Sequence, residues 1–97
     1  REVDIETDPP LVERDDGSWW VSGSLSADAL ADTLGFGLPA DRDYATAAGF
    51  ALSVLKHLPE VGERFSYRGW QFEIVDLDGR KIDKLLASEI VRKRRGG

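Results

Sequence analysis

Neither cysteine nor methionine occurs in this chain of 97 residues, and histidine occurs once. Without cysteine there is no disulfide, no thiolate metal ligand and no thiol nucleophile, so the fold must be held by packing. The polar start at Arg1, with no initiator methionine, predicts a piece of a longer polypeptide. No apolar run approaches the ~20 residues that would cross a bilayer, and no signal or transit segment is visible. Basic residues are outnumbered: 13 Lys and Arg against 18 Asp and Glu give a net charge of −5. The one dense basic run is Arg92 to Arg95, at the very end. Phosphate-backbone binding needs such clusters on a folded face, so nucleic acid is not an expected partner, and the acidity is read as an aid to solubility.

What remains is 41% hydrophobic and 32% charged, the composition of one soluble domain with a single core. Residues 1–10 alternate acids with small apolar residues and stop at Pro9-Pro10, which predicts an extended linker. Leu11 to Arg14 and Trp19 to Gly23 read as a hairpin turned at Asp16-Gly17. Strand alternation sets Trp19 and Val21 on one face and Trp20 and Ser22 on the other. A helix follows, with Ser26 as N-cap, Leu25 and Leu30 at hydrophobic-staple spacing, Ala27, Leu30, Ala31 and Leu34 on one face, and Gly35 as terminator. A second helix starts at Thr46, carries Ala47, Phe50, Ala51, Val54, Leu55 and Leu58 on its apolar face, and is stopped by Pro59 and Gly62.

Arg64 to Arg68 reads as a strand with Phe65 and Tyr67 on one side; Gly69 turns it into a second, Trp70 to Leu77, with Trp70, Phe72 and Ile74 aligned. Asp78-Gly79 then turns the chain toward Arg80. Beyond that, Ile82, Leu85, Leu86 and Ile90 fit helical spacing, whereas hairpin logic favours a strand; a strand with a bulge near Leu85 is adopted. The expected fold is α+β, a mainly antiparallel sheet with two helices packed on it. Its domain spans residues 11–91, and residues 92–97 form a basic flexible tail.

Catalytic machinery is hard to find. His57 sits beside Lys56 where the second helix ends, and a cation there answers the helix dipole; a general base would need an orienting partner. Ser22, Ser24 and Ser26 lack the frame of a nucleophile elbow. Gly35 and Gly37 follow a helix, whereas a phosphate-binding loop precedes one. No cofactor is implied. Hard cations want oxygen ligands, and two acidic pairs, Asp41 with Asp43 and Asp76 with Asp78, are the candidates for a Mg²⁺ or Ca²⁺ site; ordinary turn capping already accounts for them and is the favoured reading. Trp20 is the candidate interface residue, because it faces away from the core if Trp19 faces inward; cover by a helix or loop is the alternative.

The ordered set "DGSWWVSGSL", "DYATAAGF", "LKHLPEVG" and "DLDGRKI" resembles the CorC/HlyC transporter-associated domain. The matching positions are Asp16, Gly17 and Gly23; Asp43, Tyr44, Thr46 and Gly49; Leu55, Leu58, Pro59 and Gly62; and Asp78, Gly79, Arg80 and Ile82. The resemblance implies a small α+β domain related in shape to part of certain FAD-binding domains. It is carried at the cytoplasmic face of the cell membrane by bacterial proteins with a transmembrane region and a CBS-domain pair, linked to magnesium and cobalt efflux or described as hemolysin-like. It implies no catalytic residue and no cofactor: the domain is expected to be a non-enzymatic accessory module that modulates ion transport by docking on the rest of its parent chain. A homodimer through a sheet edge or the Trp20 face, and a module that senses an adenine nucleotide, a flavin or a divalent ion, are the other expectations. Contact with the membrane is expected only through the parent protein.

Overall fold

The computed structural model describes residues 9–90. The linker expected over residues 1–10 falls mostly outside them, as does the basic tail. Seven elements follow in order: β1 (Leu11–Glu13), β2 (Trp19–Ser22), α1 (Ala27–Leu34), α2 (Ala47–Leu55), β3 (Arg64–Tyr67), β4 (Trp70–Asp78) and β5 (Lys81–Glu89). The strands form one antiparallel sheet in the order β1-β2-β5-β4-β3, so the last strand returns to the middle. Both helices contribute to a single core with the sheet, through Leu30, Leu34, Phe50 and Ala51 against Val21, Phe72, Ile74, Ile82, Leu85 and Ala87. The expected α+β architecture is therefore the observed one.

The helices begin as the sequence predicts. Ser26 Oγ accepts from Ala29 N at 3.0 Å and Thr46 Oγ1 from Gly49 N at 3.1 Å, each satisfying an orphan amide of the first turn. Backbone carbonyls satisfy further ones: Ala27 N donates to Ala45 O, Ala47 N to Leu25 O and Ala48 N to Gly23 O. The two helix starts are thereby clamped to each other through the Ser26 and Thr46 bridge. Gly35 ends α1 in the left-handed region (φ 84°).

The second helix is shorter than its apolar spacing suggests. It closes at Leu55, where Lys56 takes a left-handed conformation (φ 65°) and donates its amide to Leu52 O. Leu58 is consequently 47% exposed rather than part of the buried stripe. Pro59 keeps Leu58 out of the helix, since the residue before a proline is disfavoured in helical conformation, but the chain leaves the helix earlier, at Lys56. His57 then lies in the connection to β3 and does not cap the helix.

At the first hairpin Arg14 N donates to Ser18 O, leaving a three-residue loop in which Gly17 has φ 87°. Tyr67 pairs with Trp70 across Arg68 and Gly69, both at positive φ (50° and 89°), the signature of a type I′ turn. Asp78 pairs with Lys81, so the next turn is Gly79-Arg80, one residue later than the Asp-Gly dipeptide suggests.

The ambiguous segment after it is a strand, and its irregularity lies at Asp83 rather than Leu85, which is in register with Ile74. Pairing runs Ile74 to Leu85, Asp76 to Lys84 and Leu77 to Ile82. Val75 is thus an extra residue on β4 and Asp83 on β5, and the two bulges cancel. The phase change lets Ile82, Leu85 and Ala87 all reach the core from one strand, and so imitates the spacing of a helix.

Candidate functional site

The sheet has one face under the helices and another without them, and adjacent residues of β2 divide between the two. Trp19 packs against the core, whereas Trp20 is 36% exposed on the opposite side. The register places Val12, Trp20, Leu86, Glu73 and Arg64 in one row across all five strands. The β1 end of that row is apolar. Its β3 end is ionic, with Arg64 Nε 3.7 Å from Glu73 Oε1.

A groove of about 670 Å³ opens at the apolar end, lined by Pro9, Pro10, Val12, Trp20, Ser22 and Lys84 among others. Arg14 holds its guanidinium carbon 5.3 Å from the centre of the Trp20 ring. Lys84 Nζ lies 3.2 Å from Asp83 Oδ2. The floor of the groove can bury apolar groups.

The helix face is filled instead. Phe50 has Phe36, Tyr44, Phe65, Tyr67 and Phe72 around it with ring centroids 5.0 to 6.0 Å away. Trp70 donates its indole N–H to Leu34 O at 3.0 Å, answering one of the carbonyls that α1 leaves unpaired at its end. Most of the aromatic content of the second half of the chain is therefore architecture.

The other sequence candidates are scattered. His57 Nε2 meets Glu63 Oε2 at 2.5 Å, and Glu63 Oε1 accepts from Glu60 N at 3.1 Å. The Glu60 amide first, and His57 second, hold the Glu63 carboxyl below its usual range. Ser22 and Ser24 share a hydroxyl contact of 2.9 Å, while Ser26 is occupied as a cap. Asp41 and Asp43 are exposed in the connection between the helices; Asp76 and Asp78 are exposed near the end of β4. Among the described residues, no group of three or more His, Asp or Glu is placed to hold a metal ion.

Arg42, between Asp41 and Asp43, is a residue that sequence reasoning passes over. It donates through Nη2 to Asp28 Oδ1 at 2.5 Å and through Nη1 to Pro39 O at 3.2 Å, and stands 5.9 Å from the Tyr44 ring. It ties the interhelical connection back to the first turn of α1. A lone cation flanked by acids in a long connection is the signal that could have found it.

A family model described as a transporter associated domain, CorC/HlyC, matches residues 12–90. The chain belongs to that family. A solved domain of this family from a Xylella fastidiosa Temecula1 hemolysin, described in complex with Mg²⁺ and Mn²⁺, is 42% identical. The match covers 86% of this chain and all of that one, with a TM-score of 0.76. The polyamine export protein of Escherichia coli K12 is 32% identical over 84 residues, which are 86% of this chain and 19% of that protein. A domain from a CBS domain protein of Porphyromonas gingivalis shares the fold at 23% identity, covering 86% of this chain and all of its own, with a TM-score of 0.71. The CorC/HlyC domain here thus spans about a fifth of the length of its curated relative. No helix among its described residues is long and apolar enough to cross a membrane.

Proposed function

We propose that this CorC/HlyC domain is a non-catalytic accessory module of a membrane transporter, acting at the cytoplasmic face by docking on the rest of its own protein through the Trp20 face. The observation that carries the reading is the asymmetry of the sheet. One face is sealed by two helices, while the other presents Val12, Trp20 and Leu86 beside a groove. Exposed aromatics over an apolar floor are what contact surfaces are made of. A module of this kind works by binding one state of the transporter better than another, which shifts the equilibrium by the difference in affinity.

The docking partners in this reading are a CBS-domain pair and a transmembrane region, in line with the CBS domain protein that carries the P. gingivalis domain. The cargo is a cation. Magnesium or cobalt follows from the family's usual association, and a polyamine from the curated relative. The test is a photo-crosslinking residue at position 20 of the full-length protein, with position 32 on the exposed side of α1 as control. A crosslink to the same polypeptide, stronger at 20 than at 32, is expected; equal yields at both positions would contradict the docking surface.

A second reading, divalent-ion sensing, draws on the X. fastidiosa relative described with Mg²⁺ and Mn²⁺. Asp41, Asp43, Asp76 and Asp78 are its candidate ligands. Calorimetric titration of the domain with Mg²⁺ and Mn²⁺ decides it: saturable heat that is lost in the Asp-to-Asn variants supports sensing, and heat of dilution alone removes it.

A further inference from the structure

We propose that the turn at Asp78-Gly79 is a site of spontaneous isoaspartate formation, whereas Asp16-Gly17, the same dipeptide in the first hairpin, is shielded from it by its hydrogen bonds. The inference is independent of what the Trp20 face meets.

The reaction needs a free main-chain amide beside a carboxyl group that can shed an oxygen. The Gly79 nitrogen bonds to Asp78 Cγ and gives up its proton, a carboxyl oxygen leaves as water, and a succinimide ring closes. Water then opens the ring. Breaking the bond between that nitrogen and the main-chain carbonyl carbon of Asp78 leaves the chain running through Cγ, which is isoaspartate; breaking the new bond to Cγ restores aspartate. Solvent is the only co-reactant. Glycine favours the closure because it has no Cβ to crowd the attacking nitrogen.

Both dipeptides are exposed in turns, so exposure does not separate them. Hydrogen bonding does. Ser18 donates to Asp16 Oδ1 from Oγ at 2.6 Å and from N at 3.0 Å, and Gly17 N donates to Arg14 O at 3.0 Å, so both reacting groups are already engaged. The Ser18 hydroxyl, and then its amide, also hold the Asp16 carboxyl below its usual range, which leaves less of the protonated form that releases water. At the second site neither the Asp78 carboxylate nor Gly79 N has a hydrogen-bond partner among the described residues. Gly79 has φ 65° and Arg80 has no positive φ, which fits a type II′ turn, whose first central N–H serves no ladder bond. Nothing lies within 4 Å of where a Cβ on Gly79 would stand, so the peptide has room to rotate toward the carboxyl. Gly17 has the same room, which leaves the hydrogen bonds as the difference. The product inserts an extra main-chain atom at the last pair of β4, Asp78 with Lys81, and so loosens the hairpin end beside Leu77 and the buried Ile82.

The test ages the folded chain at neutral pH and maps its peptides by electron-transfer fragmentation, which distinguishes isoaspartyl from aspartyl residues. The chain unfolded in urea is aged alongside as the reference, since both dipeptides lose their folded contacts there. Relative to its own yield in urea, Asp78 is expected to convert several-fold more than Asp16 in the folded chain. Ser18→Ala, which removes the hydroxyl bond, is expected to raise conversion at Asp16 several-fold and leave that at Asp78 unchanged. Asp78→Glu, which cannot close the same ring, should abolish the product at the second turn. Equal conversion of the two sites in the folded chain, or more at Asp16, would overturn the proposal. So would an Asp78 that stays intact in the folded chain while the unfolded chain converts, and an Asp16 unaffected by Ser18→Ala would overturn the shielding.

Discussion

Lys56 occupies a left-handed position where glycine is the usual helix terminator, and among the described residues its side chain makes no hydrogen bond or ion pair that would repay the strain. The conformation costs an L-residue about 1 to 2 kcal/mol, while glycine gives back about 0.5 to 1 kcal/mol through the entropy of the unfolded chain. Lys56→Gly is therefore expected to stabilise the domain by about 0.5 kcal/mol. Urea denaturation reads the change, and a lower midpoint would show that Lys56 serves the fold in another way. Nothing in the sequence marks Lys56 as the stop, because the apolar spacing continues to Leu58. Ser26, Thr46 and Gly35 are legible for the opposite reason: capping is local chemistry that depends on two or three neighbouring residues.

Glu63 is one residue through which pH acts on stability. Its folded pKa is depressed by the Glu60 amide and by His57. A depressed carboxylate contributes stability that is complete above its unfolded pKa and is lost as pH falls through the folded value. The domain should lose stability below the usual carboxylate range, and Glu63→Gln should flatten that acid limb in a series of thermal melts. Asp16 contributes in the same direction, through the Ser18 hydroxyl and then the Ser18 amide. An acid limb unchanged in the Glu63→Gln variant would show that the contacts of Glu63 with the Glu60 amide and with His57 do not persist in solution.

At the scale of elements, the crossing of β2, β5 and α2 holds the domain together at Gly23. Its amide donates to Asp83 O, its carbonyl accepts from Ala48 N, and a Cβ placed on it would come within 2.0 Å of Ile82 O. Gly23→Ala must push β2 away from β5, so a loss of at least ~2 kcal/mol is expected, comparable to the larger effects of backbone and packing disruption. A melting temperature within a degree or two of the parent would show that the strands give way easily.

The same crossing explains why the last strand is ambiguous in the sequence. Ile82 and Leu85 stand three residues apart because Asp83 bulges, and three is a helical interval. Asp83 bulges where its carbonyl receives Gly23, a contact between residues sixty positions apart that no local pattern records. Hairpins are easier, since Asp16-Gly17 and Gly69 announce their turns. The pairing of β5 between β2 and β4 is not legible, because strand order depends on long-range packing.

At the scale of the whole molecule, the described residues form a packed side and a side with partly exposed apolar groups, Val12 and Trp20 among them. The exposure of Trp20 follows from alternation with Trp19, but the groove beside it does not, since it is assembled from Pro9 and Pro10 near one end of the chain and Lys84 near the other. Chemistry remains sparse at this scale too. The acidic pairs stay apart on separate elements, and His57 is engaged with Glu63. In the proposed reading, usefulness then depends on what the Trp20 face meets.

Transport by the full-length protein in proteoliposomes, compared among the parent, the Trp20→Ser variant and a protein lacking residues 9–90, tests that dependence most directly. Deletion is expected to change the transport rate, and Trp20→Ser to reproduce the change while the domain stays folded. Transport by the Trp20→Ser protein equal to the parent's, with the deletion still altering the rate, would contradict a docking role for that face.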